Sequence, residues 1–278
     1  MKRFLLLVAS LFVGYVGYNG SQVTAQTAQK LTLEDITGGK YNPQYVYGVN
    51  PMKDGESYTQ LSNDSKRIIR RSFKTGKELG VVFDAETARG PKKLEAIDGY
   101  IMSPDERRIL LRTQTRPIYR RSYTAVYYIY DVENKKFEAL SDGGPQQMPT
   151  FSPDGNSIAF VRDNNLFLVK LLFGNAESQI TKDGKFNEII NGLPDWVYEE
   201  EFSTNRSFDF SSDSQMLAWI RYDESKVPIY SIQEFKGAYP TRQENDEYPG
   251  AYNYKYPVAG AKNSDVSVMT FDIKNRVT

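Results

Sequence analysis

From about residue 40 onward the apolar residues come in short bursts. Val, Ile, Phe, Tyr and Thr gather in runs of four to eight residues, bounded by Asp, Asn, Gly, Ser and Pro. Runs of this kind predict strands joined by tight turns rather than helices. One unit recurs: an apolar or aromatic lead-in, a Ser, an Asp-containing turn, then an apolar strand. Tyr58 to Ser65 leads into Arg67-Ile68-Ile69, and Tyr100 to Asp105 leads into Ile109-Leu110-Leu111. Phe151-Ser152-Pro153-Asp154-Gly155 leads into Ser157-Ile158-Ala159-Phe160-Val161. Phe208-Asp209-Phe210-Ser211-Ser212-Asp213 leads into Met216-Leu217-Ala218-Trp219-Ile220.

The repeated serines, 62, 103, 152 and 211, are spaced by 41, 49 and 59 residues. A four-stranded propeller blade takes about 40–50 residues, so the period predicts a β-propeller. An antiparallel sandwich with Ser-Pro turns is the other architecture this pattern allows. In Pro-Asp-Gly, Pro presets φ, Asp bonds the local backbone and Gly accepts a positive φ. Blades of this size bury their faces only by stacking on neighbours. The spacing stretches along the chain, and inserted material lies within and after the last interval. One insertion holds Asn191 to Phe202; another, rich in Tyr, Pro and charge, runs from Ile232 to Gly260 and reads as an arm. The expected fold is all-β: about five blades of a propeller, with a short inserted helix carrying three glutamates.

The N-terminus departs from this pattern. Lys2 and Arg3 precede an apolar run from Phe4 to Val13, small residues follow at Val23-Thr24-Ala25, and no acid occurs before Glu34. That order predicts a signal peptide over residues 1–25, cleaved after Ala25, with the propeller region over 26–278. Gly14, Gly17, Asn19 and Gly20 break the run short of the roughly 20 apolar residues a span needs. No membrane span is expected after cleavage, and the protein is expected in the periplasm, at the cell surface or outside the cell.

Composition narrows the chemistry. The 278 residues balance 35 Lys+Arg against 35 Asp+Glu, and they include no Cys and no His. Zero net charge gives no general attraction to nucleic acid, and no nucleic-acid partner is expected. Without Cys there is no disulfide framework and no thiolate nucleophile. Without His there is no Ser-His-Asp triad within these residues. No metal and no cofactor are expected.

The chemistry then falls to the first insertion. Pro194-Asp195 reads as a helix start with Asp195 as N-cap, and Glu199, Glu200 and Glu201 follow in or just past the first turn. Trp196, Val197, Tyr198 and Phe202 supply bulk to anchor that helix. Three adjacent glutamates are also what a solvated helix face looks like. In a semi-enclosed site, however, neighbouring carboxylates need a cation. A free peptide N-terminus is such a cation, offering three donors that two carboxylates can share. A second polar stretch, Arg116 to Ala125, could present a guanidinium to a peptide carbonyl, or could simply protect a strand edge.

These residues carry a resemblance. Asp195-Trp196-Val197-Tyr198-Glu199-Glu200-Glu201-Phe202 resembles the glutamate motif of the dipeptidyl peptidase IV family of serine peptidases. Arg120-x-Ser122-Tyr123-Thr124-Ala125, followed by Tyr128-Ile129-Tyr130-Asp131, is similar to that family's arginine segment. Tyr256-Pro257-x-Ala259-Gly260-Ala261-x-Asn263 is similar to its strand after the arm. The resemblance implies an eight-bladed propeller followed by an α/β-hydrolase domain, removing X-Pro or X-Ala dipeptides from free N-termini. It implies that Glu200 and Glu201 bind the substrate ammonium and that Arg120 contacts the second carbonyl, with Glu199 beside the pair. It also implies homodimer contacts through the arm at about 232–254.

The chain contains no Gly-x-Ser-x-Gly elbow and no His, so it matches the recognition half of such an enzyme and not the catalytic half. The expected function is substrate recognition for an exported dipeptidyl aminopeptidase; a stand-alone exported propeller that only binds is the alternative. The 278-residue protein by itself is expected to release no chromophore from a Gly-Pro chromogenic amide. Turnover that co-purifies with it would overturn this reading.

Overall fold

The computed structural model describes residues 30–43, 45–234 and 248–278. The expected signal segment 1–25 and the arm tip at 235–247 lie outside the described residues. The chain divides into two compact units, up to Val46 and from Tyr47 onward. In the first, helix α1 (Leu33–Thr37) is capped by Thr32, whose hydroxyl accepts the Asp35 N–H at 3.1 Å.

The second unit is a succession of antiparallel sheets. The first sheet contains β1 (Asn50–Pro51), β2 (Ser57–Leu61), β3 (Arg67–Ser72) and β4 (Glu78–Asp84). The second contains β5 (Gly99–Met102), β6 (Arg108–Pro117), β7 (Tyr123–Asp131) and β8 (Lys136–Ala139). The third contains β9 (Gln147–Phe151), β10 (Ser157–Arg162), β11 (Asn165–Lys170) and β12 (Ala176–Gln179). In the fourth, β13 (Ile189–Asn191) and β14 (Phe208–Phe210) both pair with β15 (Met216–Asp223). A two-stranded hairpin, β16 (Ile229–Glu234) with β17 (Gly250–Lys255), then intervenes. The fourth sheet is completed by β18 (Asp265–Asp272), which pairs along the whole of β15. Length suggested about five blades. The described residues form four such sheets, because the two excursions in and after the fourth take up chain.

The four repeated turns have one geometry. In each, the Ser hydroxyl donates to the Asp carboxylate two residues on, at 2.5 to 2.6 Å. The same hydroxyl accepts the N–H five residues on at 2.9 Å, opening the next strand. The residue after Asp takes a positive φ: Ser65 at 59°, Glu106 at 60°, Gly155 at 71° and Ser214 at 60°. Only one copy uses Gly there, so the Ser–Asp bonds hold the other three in left-handed backbone.

These turns also touch the neighbouring sheet, at the β1–β2 turn in one case and at the next repeated turn in another. The Glu106 carboxylate accepts the Lys53 N–H at 2.6 Å, and the Ser214 hydroxyl accepts the Asp154 N–H at 3.1 Å. All four turn aspartates have pKa values below the usual 3.8. For Asp64 and Asp213 the serine hydroxyl is the main cause. For Asp105 and Asp154 burial pushes upward, and the serine and backbone donors outweigh it.

The core lies between the sheets. Ile109 and Leu111 pack with Ile68 and Phe83 of the first sheet, while Leu110 between them packs with Ile158 and Phe160 of the third. Ala159 and Val161 turn the other way, toward Leu217 and Trp219 of the fourth. Consecutive residues of a strand point to opposite faces, so a sheet covered on both sides reads as a continuous apolar run.

Two outcomes follow for the turns. Ser152→Ala, which removes the hydrogen bonds of a fully buried hydroxyl, should cost about 1–2 kcal/mol in denaturant unfolding at neutral pH. The depressed aspartate values contribute stability that is present above about pH 4 and is lost as pH falls through the folded values. Acid unfolding should therefore be shallower in Asp154→Asn than in the parent; an unchanged acid limb would refute the linkage.

Candidate functional site

The glutamate helix hangs from a one-residue gap in the fourth sheet. Asn191 pairs with Arg221 and Phe208 pairs with Trp219, leaving only Ile220 of β15 between them. The chain leaves and returns there: Gly192 N–H donates to Ile220 O at 3.0 Å, and Ile220 N–H donates to Ser207 O at 2.8 Å. Ser207 N–H closes the neck by donating to Gly192 O at 2.9 Å. Gly192 has φ +79°, and a Cβ on it would come within 3.1 Å of the Leu166 side chain. Glycine is required here on both counts. Buried Asn191, just before the neck, accepts the Trp219 indole N–H at 3.1 Å and donates to Asp183 at 2.9 Å.

Helix α2 (Trp196–Phe202) follows. Asp195 caps it as the sequence predicts: one carboxylate oxygen accepts Tyr198 N–H at 2.9 Å and the other accepts the Ser264 hydroxyl at 2.5 Å. Trp196 lies 4.5 Å from the ring of Tyr256, and Tyr198 meets Tyr222 edge-on at 5.0 Å. These two rings anchor the helix. Phe202, expected to help, is 67 % exposed, and its ring meets that of Tyr198.

The arginine segment is the tip of the β6–β7 hairpin. Ile118 N–H donates to Ser122 O at 2.9 Å, which closes the loop. Glu199 joins this tip to the helix: it is 1 % exposed, and its Oε1 accepts the N–H groups of Arg121 at 2.7 Å and Ser122 at 2.8 Å. Arg121 answers with its guanidinium, to Glu199 O at 3.2 Å and to the Ser203 hydroxyl at 3.1 Å. Asn205 donates to Arg121 O at 3.1 Å. Both polar groups of the Arg121 main chain are thus held by the insertion.

The consequence is the placement of Arg120 and Glu200. Arg120 Nε lies 3.5 Å from Glu200 Oε2, with the Arg120 side chain 73 % exposed and that of Glu200 16 % exposed. Arg121 lies 3.8 Å from the same oxygen. A pair this long and this exposed is weak, so either partner is free to exchange it for a ligand. Glu201 is exposed at the next helix position, about 100° around the axis. Among the described residues no group of three or more acidic side chains is arranged to hold a metal ion.

Of the residues singled out from sequence, Arg120 and Glu200 meet, and Glu201 stands beside them on the same helix. Glu199 is occupied by main-chain donors. Arg121, Ser203 and Asn205 were not foreseen as parts of this cluster. Arg121 and Glu199 are 78 residues apart, and nothing local marks the contact.

Four-stranded sheets stacked face to face, each with a Ser–Asp turn between two of its strands, define a β-propeller, and this one carries an inserted carboxylate helix against an arginine hairpin. The family model described as the dipeptidyl peptidase IV N-terminal region matches residues 103–278, and the chain belongs to that family. It is 42 % identical over 282 aligned residues to a probable dipeptidyl-aminopeptidase B of Colletotrichum graminicola, covering 93 % of this chain and 30 % of that protein. It is 34 % identical to the mouse prolyl endopeptidase FAP, covering 88 % of this chain and 30 % of that protein. Among solved structures it is similar to the dipeptidyl peptidase 4 of Porphyromonas gingivalis, with a TM-score of 0.82 and 39 % identity. That match covers 90 % of this chain and 34 % of the solved one. The chain thus spans about 30 % of the length of the curated relatives it matches.

Glu199→Ala strips two buried N–H groups of their acceptor and should cost about 2–3 kcal/mol in thermal or denaturant unfolding. It should also speed amide exchange at Arg121 and Ser122. Glu199→Gln keeps an acceptor oxygen and should do less; equal protection of both amides in the Ala variant would refute the anchoring role.

Proposed function

We propose that this region is the substrate-recognition propeller of a serine-type dipeptidyl aminopeptidase, which reads the free N-terminus of a peptide and releases X-Pro or X-Ala dipeptides. The observation that carries the reading is the meeting of Arg120 with Glu200 at the rim of an insertion, with Glu201 adjacent. An arriving ammonium brings three donors. It replaces Arg120 as the partner of Glu200 and takes Glu201 as a second acceptor. The released guanidinium is then free to donate to the carbonyl of the second residue. Two carboxylates and one arginine at fixed spacing measure distance from the amino end, which is what an enzyme removing dipeptides requires.

Glu199 has a different role in this reading. Its two main-chain bonds hold the hairpin tip, so the recognising groups meet the substrate without first having to be ordered. The proposal includes export through the segment at residues 1–25 and dimer contacts through the arm at about 232–254. No helix among the described residues is long and apolar enough to cross a membrane. Hydrolysis itself needs a nucleophile and base supplied outside these residues.

In a peptidase carrying this region with its hydrolase domain, Glu200→Gln and Glu201→Gln should each lower kcat/KM well over tenfold, and Arg120→Ala should raise KM. The control is a Gly-Pro amide with its amine acetylated. Equal cleavage of the acetylated and free-amine substrates would overturn the proposal.

A further inference from the structure

Next to this cluster lies a cavity of about 470 Å³ that Arg120, Glu200 and Glu201 do not line. Its walls are the hairpin tip at Tyr119, the first turn of α2 at Trp196 and Glu199, and the connection after β15 at Glu224. Lys255 of β17 completes them. The volume is in the range of small-molecule sites.

An account of its charged groups leaves one over. Asp195 spends its two carboxylate oxygens on Tyr198 N–H and the Ser264 hydroxyl. Glu199 is held by Arg121 and Ser122. Lys255 donates to the carbonyls of Val227 at 2.7 Å and Ser225 at 3.2 Å. Lys185 pairs with Glu188 at 2.5 Å, and Asp163 is exposed. Glu224 is 6 % exposed, and among the described residues no hydrogen bond reaches its carboxylate. A buried carboxylate without a donor is costly, and it faces a space large enough to admit one.

We propose that this cavity is a second cation site, which takes a primary ammonium on a small apolar body, with Glu224 as its counter-ion. Trp196 and Tyr119 bring aromatic surface to the same cavity, which suits an organic cation better than a hydrated ion. A metal is disfavoured because, among the described carboxylates that line the cavity, Glu224 is the one that is buried and unengaged, and metal sites need several.

Uptake is linked to protons. Burial pushes the Glu224 carboxyl up to about 7; the Asp195 charge pushes the same way and Lys255 opposes it. Tyr119 and Glu199 face it from the hairpin and the helix. Burial and its acidic and phenolic neighbours hold the Tyr119 hydroxyl above its ordinary value, hence neutral through this range. An ammonium stays charged between pH 6 and 8, while Glu224 passes from mostly protonated to mostly ionised, so binding should tighten as pH rises.

The test is calorimetric titration of the full chain with benzylammonium. One saturable site is expected at pH 8, weakened about tenfold at pH 6, with no uptake of benzyl alcohol. Glu224→Gln should weaken binding at least tenfold. A Glu200→Gln, Glu201→Gln double variant should retain it, which separates this site from the proposed N-terminus clamp. Should Glu224→Gln not fold, the pH profile and the double variant still decide. Undiminished binding in Glu224→Gln, loss in the double variant, equal affinity at pH 6 and 8, equal uptake of benzyl alcohol, or no binding at millimolar concentration would each overturn the proposal.

Discussion

A small antiparallel sheet with apolar residues on both faces has nowhere to put one of them when it stands alone. That constraint organises this protein. In β6, Ile109 and Leu111 face one neighbour while Leu110 faces the other, and β10 divides Ile158 and Phe160 from Ala159 and Val161 in the same way. The second and third sheets are therefore each stabilised by the two beside them rather than by an interior of their own. Burying a side chain of this size contributes about 1.5–3 kcal/mol, and each interface between sheets contains many. The repeated turns add direction to this stacking. Their Ser–Asp bonds fix the turn between two paired strands within each sheet, and the Asp154–Ser214 contact links one such turn to the next.

A scaffold of this stiffness permits a local liberty. The first strand of the fourth sheet is broken by an excursion that departs and returns at a single residue, Ile220. Because the hydrogen bonds resume immediately on either side, the insertion costs the sheet little and is held by a short neck. Gly192 makes the neck possible, by positive φ and by the lack of a Cβ against Leu166. The helix that results is only two turns long, and isolated helices of that length do not persist in water. It persists here because Asp195 caps it, Trp196 and Tyr198 pack against tyrosines, and Glu199 is bonded into the opposite hairpin.

The division of labour among three consecutive glutamates follows from that geometry. Successive helix positions differ by about 100°, so the three cannot share one environment. Glu199 points inward and spends its charge on structure. Glu200 lies at the rim, loosely paired with Arg120, and Glu201 faces water. Binding groups that are themselves weakly engaged, mounted on groups that are strongly engaged, suit recognition. Little has to be broken when a ligand arrives, and little has to be ordered.

The features legible in the sequence are those whose cause is local. The Ser–Asp turns close within six residues, so each announces itself wherever it occurs. Short apolar runs rich in Val, Ile, Phe and Tyr and bounded by turn residues mark strands whatever lies against them, and Pro194-Asp195 marks a helix start for the same reason. The eight-residue glutamate motif and the arginine segment likewise stood out singly. What they do together did not. The contact of Glu199 with Arg121 and Ser122, the role of Asn205 and the exposure of Phe202 depend on how the β6–β7 hairpin and the fourth sheet approach each other. Glu224 gives no sign in the sequence at all; its surroundings are assembled from Asp195, Tyr119 and Lys255, each from a different element. Hydrogen bonds between chain neighbours are written in the order of residues, whereas burial and the meeting of charges belong to the packing of sheets and exist only once the sheets have stacked.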